Sequence, residues 1–154
     1  MLKYWNYDIV FAEIPDEVTL AINLTCCPNR CKGCHSPHLQ ENIGNVLDWK
    51  ELNSIIGKYK DTITCVCFMG GDSTPFDVEE LSELMHRYYP GIYTAWYSGK
   101  AKLPEGFNKD LFRFIKLGPY IESCGSLKSP ITNQRLYRIE DGKLNNITYK
   151  LQQK

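Results

Sequence analysis

The amino-acid sequence predicts an α/β protein built as an open, partial (βα) barrel with a curved, mostly parallel sheet. Apolar segments of strand length alternate with amphipathic helices, as they do in consecutive β-α-β units. Several of these strand segments run directly into glycine-containing turns. Turn signals near both termini add a β-hairpin at each end of the chain. The number of β-α units is too small for a closed eight-unit barrel.

The N-terminal hairpin is predicted from two apolar segments on either side of Pro15 and Asp16. Residues 7–13 read as the first strand, and residues 17–25 alternate apolar and polar side chains as a half-buried strand does. The C-terminal hairpin is predicted from residues 135–149, because an Asp-Gly turn divides two strand-like segments there.

Two crossover helices are predicted between the central strands. Asp48 and Glu51 have the spacing of a capping box at the start of the first helix, and Asp77 and Glu80 repeat it at the second. The third crossover, residues 103–109, contains a proline and a glycine, so we expect little or no helix there. The strands that these connections join are apolar on both faces, which is typical of parallel strands covered by helices; they are residues 63–69, 91–97 and 111–117.

The unusual residues of the chain collect at one predicted edge of the sheet. The three central strands end at Gly70-Gly71-Asp72, Ser98-Gly99 and Gly118-Pro119, and a cysteine-rich loop follows the second strand. Ligands of parallel sheets bind at the carboxyl ends of the strands. We therefore expect a ligand site at this edge, with Ser98 and Lys116 close enough to contact the ligand.

Length and charge restrict the class of protein. The 154 residues predict a single domain over residues 1–154, and 18 basic residues balance 18 acidic ones, so we expect neither a nucleic-acid partner nor a membrane partner. No secretory signal is visible, and no apolar stretch reaches the length of a membrane span. We expect a cytoplasmic protein, in which clustered cysteines are metal ligands more often than disulfide partners.

Four of the seven cysteines lie in residues 26–34, and three of them, Cys27, Cys31 and Cys34, form a C-x3-C-x2-C unit. Three explanations are open on spacing alone. The unit can hold structural zinc with a histidine as fourth ligand, or an iron–sulfur cluster with one iron left for another ligand. The cysteines can also be free thiols in a packed loop.

The chain resembles the radical S-adenosylmethionine (SAM) enzymes in its cysteine spacing and in the glycine-rich Gly70-Gly71-Asp72 that follows the next strand. Within that family it is similar to the activating proteins of anaerobic (class III) ribonucleoside-triphosphate reductase. The loop from Cys31 to Pro37 and the segment Thr132-Asn133-Gln134-Arg135 carry this closer likeness. The resemblance covers residues 15–138, most of the chain.

The resemblance implies a set of cofactor-binding residues. Cys27, Cys31 and Cys34 would bind a 4Fe-4S cluster, and SAM would bind the remaining iron. Many family members have an aromatic residue directly before the third cysteine, where this chain has Gly33. His35, directly after that cysteine, would offer a flat surface to the adenine instead. The residues expected to contact SAM are Gly33, Cys34, His35, Gly70, Gly71, Asp72, Ser98 and Lys116. Cys26 is expected to be a bystander.

The implied activity is reductive cleavage of SAM and removal of a hydrogen atom from a glycine of the reductase, with a flavodoxin or ferredoxin as electron donor. Two alternatives are open. One is an activating enzyme for another glycyl radical enzyme, of the formate-lyase type. The other, from a different class, is a zinc-stabilised binding module without redox chemistry. The sequence shows no Ser-His-Asp set and no paired carboxylates, and none is needed for a reaction carried by the cofactors.

Overall fold

The computed structural model describes residues 1–29 and 37–152. Its strands, in chain order, are β1 (Lys3–Val10), β2 (Thr19–Leu24), β3 (Asn45–Val46), β4 (Cys65–Met69), β5 (Tyr93–Tyr97), β6 (Phe114–Leu117), β7 (Arg135–Glu140) and β8 (Lys143–Asn146). Its α-helices are α1 (Trp49–Tyr59), α2 (Pro75–Tyr88) and α3 (Tyr149–Gln152).

Within the described residues, eight strands form one open sheet in the order β3-β1-β2-β4-β5-β6-β7-β8. The predicted α/β class and both terminal hairpins are confirmed. The prediction of a mostly parallel sheet is wrong, because parallel pairing is confined to the neighbours β2, β4, β5 and β6. The hairpin strands and β3 add antiparallel pairs on both sides, so the sheet is mixed.

The strand boundaries differ from the sequence prediction mainly at the edges of the sheet. β1 begins at Lys3 rather than at residue 7, because Lys3 and Tyr4 pair with β3. The prediction placed a loop at β3 because this two-residue strand is polar or exposed and carries no alternating pattern. β8 ends at Asn146, and the side chain of Thr148 then accepts a hydrogen bond from the Leu136 N–H at 2.8 Å.

The capping-box prediction is confirmed for α1 and is wrong for α2, where Thr74 occupies the N-cap position and Asp77 lies inside the helix. Asp48 caps α1, its Oδ1 accepting a hydrogen bond from the Glu51 N–H at 2.9 Å. α2 begins at Pro75, two residues earlier than the acidic pattern indicated, because proline suits the first turn of a helix. The third crossover contains only a short 3-10 turn, Lys109–Leu111, as its proline and glycine predicted. None of the helices in the described ranges is long and apolar enough to cross a membrane.

The central strands are buried on both faces. The first face packs against α1 and α2; its core residues include Leu20, Ile22, Leu24, Val66, Phe68, Trp96 and Ile115. The second face is covered by residues of the β1–β2 connection and the C-terminal segment; its core is formed by Ile14, Cys65, Cys67, Ala95, Phe114, Leu136 and Ile147. A sheet covered in this way leaves the ends of its strands as the accessible places for chemistry.

Gly71 provides a test of this packing. Its φ is +89°, and a Cβ atom there would lie 2.7 Å from Val78 Cγ2 on α2. We expect Gly71→Ala to lower the free energy of unfolding by about 2 kcal/mol or more, through backbone strain and overpacking.

The control is Gly57→Ala on the exposed side of α1, where nothing lies within 4 Å of the added atom. That change should raise the free energy of unfolding by about 0.5–1 kcal/mol. Urea denaturation of both variants measures the difference, and similar effects would contradict the packing described for Gly71.

Candidate functional site

The ends of β4, β5 and β6 meet at one edge of the sheet, as the sequence predicted. The Gly70 N–H donates to the Tyr97 carbonyl at 2.9 Å, and the Ser98 N–H donates to the Lys116 carbonyl at 2.9 Å. These bonds continue the ladder beyond the strands, so the glycine-containing turns that follow β4 and β5 are held side by side. Gly70 and Gly71 both have positive φ values, which glycine adopts without strain.

Asp72 is the polar centre of this edge. Its Oδ2 accepts hydrogen bonds from Asn29 Nδ2 at 2.7 Å and from the Gly99 N–H at 2.8 Å, and its Oδ1 accepts one from the Ser98 hydroxyl. Hydrogen bonds to a carboxylate are about twice as strong as those between neutral groups. Asp72 therefore joins three chain segments, which are the start of the cysteine loop and the turns after β4 and β5.

The first cysteines are positioned by the backbone at the base of their loop. The Cys26 N–H donates to the Glu41 carbonyl at 3.0 Å, and the Cys27 N–H donates to the Leu39 carbonyl at 2.9 Å. These bonds tie the beginning of the loop to the residues that follow it. The half-buried Cys27 also contacts Asn29, whose Nδ2 lies 3.5 Å from Cys27 Sγ.

Asn29 thus places a predicted metal ligand beside the glycine-rich turn. Its amide nitrogen contacts both the sulfur of Cys27 and the carboxylate of Asp72. Gly99 makes this approach possible, since a Cβ atom there would lie 2.4 Å from Asn29 Nδ2. The side chains of Cys27, Asp72 and Ser98 are therefore linked through direct contacts, although they are distant in sequence.

Cys26 has different neighbours from the adjacent Cys27. Its φ is +61°, in the left-handed region, and its Sγ lies 3.5 Å from Asn42 Oδ1. Thr25 Oγ1 is 3.9 Å from the same sulfur. The tight turn at Cys26 therefore gives the two neighbouring thiols separate surroundings.

The other predicted cluster and loop residues, Cys31, Gly33, Cys34 and His35, lie outside the described residues. Cys27 is the one predicted metal ligand inside them. Within residues 1–29 and 37–152, no group of three or more His, Cys, Asp or Glu side chains has the arrangement of a metal site. The metal-ligand prediction consequently stays a prediction.

Lys116 lies on the second face of the sheet, close to the same edge. Only 7% of the residue is exposed, and its Nζ donates to the Gly118 carbonyl at 3.1 Å. The ammonium group also sits 5.6 Å from the centre of the Tyr97 ring, within the range of a cation–π interaction. The ammonium group of Lys116 therefore lies next to the strand ends and interacts there with the Gly118 carbonyl and the Tyr97 ring.

Sequence reasoning missed two side chains that organise the site. One is Asn29, because a residue between two cysteines gives no signal in the cysteine spacing. The other is Trp96, whose Nε1 donates to the Gly70 carbonyl at 2.6 Å and so fixes the glycine turn. The available signal was Gly99, because a glycine close to the end of a strand often marks a close approach by another group.

Cys65 and Cys67 lie in β4, facing the second core. Both are fully buried, and burial raises the pKa of each thiol above its ordinary value. A metal ligand or nucleophile needs the thiolate form, which burial disfavours. The surroundings of these two residues therefore suit small apolar side chains and not a second metal site.

Comparisons of this chain with models of protein families, with curated proteins and with solved structures found no match.

The hydrogen bonds of Asp72 lead to a prediction about stability. In Asp72→Asn, the new amide nitrogen must face at least one of the present donors, from Asn29, Ser98 or Gly99. We expect the free energy of unfolding to fall by about 1–3 kcal/mol, the usual effect of leaving a buried donor without an acceptor. The control is Asp61→Asn at an exposed position, which should change it by less than about 0.5 kcal/mol. Chemical denaturation measures both variants, and equal effects would show that the Asp72 bonds do not hold the loop to the strand ends.

Proposed function

We propose that this chain is a radical SAM activating enzyme that generates the glycyl radical of anaerobic ribonucleoside-triphosphate reductase. The observation that carries the proposal is the contact of Asn29 with both Cys27 and Asp72. It brings the first cysteine of the C-x3-C-x2-C unit next to the glycine-rich turn that resembles the SAM-binding motif. Neither motif alone would be specific, because glycine turns and paired cysteines occur for many reasons.

The burial and the hydrogen-bond contact of Cys27 suit a cluster ligand. Its thiol is half-buried and lies at the edge of the sheet, whereas Cys65 and Cys67 are completely buried in the core. The amide N–H of Asn29 points to its sulfur, and hydrogen bonds to cysteine sulfurs are one of the means by which proteins tune iron–sulfur clusters. In the proposed site, Cys27, Cys31 and Cys34 hold the cluster and leave one iron for SAM.

The strand ends would hold SAM through close backbone contact. Gly70 and Gly71 have positive φ values, which glycine adopts without strain, and they form the turn whose backbone would contact SAM. The carboxylate of Asp72 already accepts three hydrogen bonds. We therefore assign Asp72 chiefly to positioning the loop, while Ser98 and Lys116 stand near enough to the edge to help orient the ligand.

When bound, the reduced cluster and SAM supply a one-electron cleavage and a carbon radical that removes hydrogen from glycine. The chain's own residues then have to position the cofactors and exclude water, and no general base is required. The electron would come from a flavodoxin or ferredoxin, and the reaction would take place in the cytoplasm. The reductase itself would cover the site and keep the radical from solvent.

Metal analysis and SAM cleavage test the proposal together. Protein reconstituted anaerobically with iron and sulfide should bind about four irons per chain and, after chemical reduction, convert SAM to methionine and 5′-deoxyadenosine. Cys27→Ala should abolish this cleavage, because it removes a cluster ligand. The matched control, Cys26→Ala, should keep most of it, because Cys26 contacts Asn42 and not the proposed site.

Two results would contradict the proposal. A colourless protein that retains stoichiometric zinc after reconstitution would favour the zinc-stabilised binding module. Loss of cleavage in Cys26→Ala, with cleavage retained in Cys27→Ala, would show that the ligand assignment is wrong.

A further inference from the structure

A cavity of about 620 Å³ lies on the second face of the sheet, beside the candidate site. Volumes of 300–1,000 Å³ are typical of ligand pockets. Its wall is mostly apolar, with Met69, Tyr97, Tyr120, Leu127 and Leu151, and it also includes the charged residue Lys128. Met69 directly precedes Gly70 and Tyr97 directly precedes Ser98, so the cavity lies next to the strand ends at which SAM is proposed to bind.

Glu13 brings a carboxylate into this mostly apolar wall. Its Oε2 is buried and has no hydrogen-bond partner among the residues that the structure describes. The backbone of Glu13 is held in place, since its carbonyl accepts a hydrogen bond from the Tyr97 hydroxyl. A buried acceptor without a donor costs about 1–3 kcal/mol, so a ligand that brings a donor to this carboxylate would be stabilised by it.

The surface around the cavity is larger than a small metabolite would need. Lys128 and Leu151 also line a neighbouring cavity that includes Phe11, and Phe11 is 70% exposed. On the other side, Tyr120 also lines a cavity that includes Ile121, which is 41% exposed. Exposed apolar residues that continue a pocket in this way are characteristic of a surface that binds another protein.

We propose that this cavity binds a lysine or arginine side chain of the protein substrate and that Glu13 accepts its hydrogen bond. A basic side chain suits both parts of the cavity, because its apolar stem packs on apolar walls while its charged head meets the carboxylate. Tyr120 adds an aromatic ring to the wall, and aromatic rings attract cations. The inference rests on the proposed function and adds a contact that aligns the substrate segment beside the strand ends.

The test measures binding of a fluorescent synthetic peptide that contains the reductase's glycine-bearing segment. Fluorescence anisotropy with the anaerobically reconstituted protein gives its dissociation constant. Glu13→Gln, which keeps the size of the side chain, should weaken binding at least tenfold. The control is Asp61→Asn, at an exposed position outside the cavities described here, where binding should not change.

A second arm changes the peptide and leaves the protein intact. Replacing each lysine or arginine of the peptide in turn by norleucine should identify one position that weakens binding about as much as Glu13→Gln does. That peptide should then bind wild-type protein and Glu13→Gln with nearly equal affinity, because the two changes remove the same interaction.

Independent, additive effects of the two changes would overturn the inference, and so would a Glu13→Gln protein that binds the peptide as tightly as wild type. SAM cleavage by the wild-type protein is measured in parallel, in the absence of peptide. If the wild-type protein cleaves SAM but Glu13→Gln does not change peptide binding, only the role of Glu13 is overturned. Absent cleavage in a protein with a full complement of iron overturns the proposed function, and this inference with it.

Discussion

The carboxylate of Asp72 is the interaction on which the arrangement of the candidate site depends. It joins the cysteine loop, through Asn29, to the turns that follow two parallel strands. The strands alone would bring only Gly70 and Ser98 together, because neighbouring parallel strands end at the same edge. The start of the cysteine loop follows β2, and the Asn29 side chain connects this segment to the two turns by donating to Asp72. A carboxylate suits this role because its two oxygens can accept several donors at once.

The fold was predictable where burial sets a pattern in the sequence. The apolar segments of β4 and β5, and the helix signal at Asp48, gave the alternating strands and helices and thereby the ligand edge. The antiparallel strands at the two edges of the sheet were harder to predict. β3 pairs with Lys3 and Tyr4 through backbone hydrogen bonds, and backbone pairing of a short exposed strand leaves no trace in residue type. The balance between parallel and antiparallel pairs was misjudged because the hairpin strands and β3 join the same sheet as the parallel strands.

The candidate site shows the same division. Cysteine spacing and the glycines at 70 and 71 were visible in the sequence, because they are residue types with few substitutes. Asn29, Trp96 and Glu13 were not, because asparagine, tryptophan and glutamate are common in unrelated roles. Their importance comes from contacts between distant segments, such as the Trp96 bond to the Gly70 carbonyl. The two faces of the sheet also differ in a way that periodicity does not reveal, since the second face carries both Lys116 and the cavity of Glu13.

The central claim is that the chain transfers a radical to a glycine of a partner enzyme, and electron paramagnetic resonance tests it most directly. The reduced, reconstituted protein is incubated with SAM and anaerobic ribonucleoside-triphosphate reductase. The account predicts the doublet of a glycyl radical in the reductase, dependent on SAM and on Cys27. A reductase that shows no doublet while SAM is cleaved would contradict the assigned partner. A doublet obtained instead with a formate-lyase-type enzyme would transfer the assignment to that class of glycyl radical enzyme.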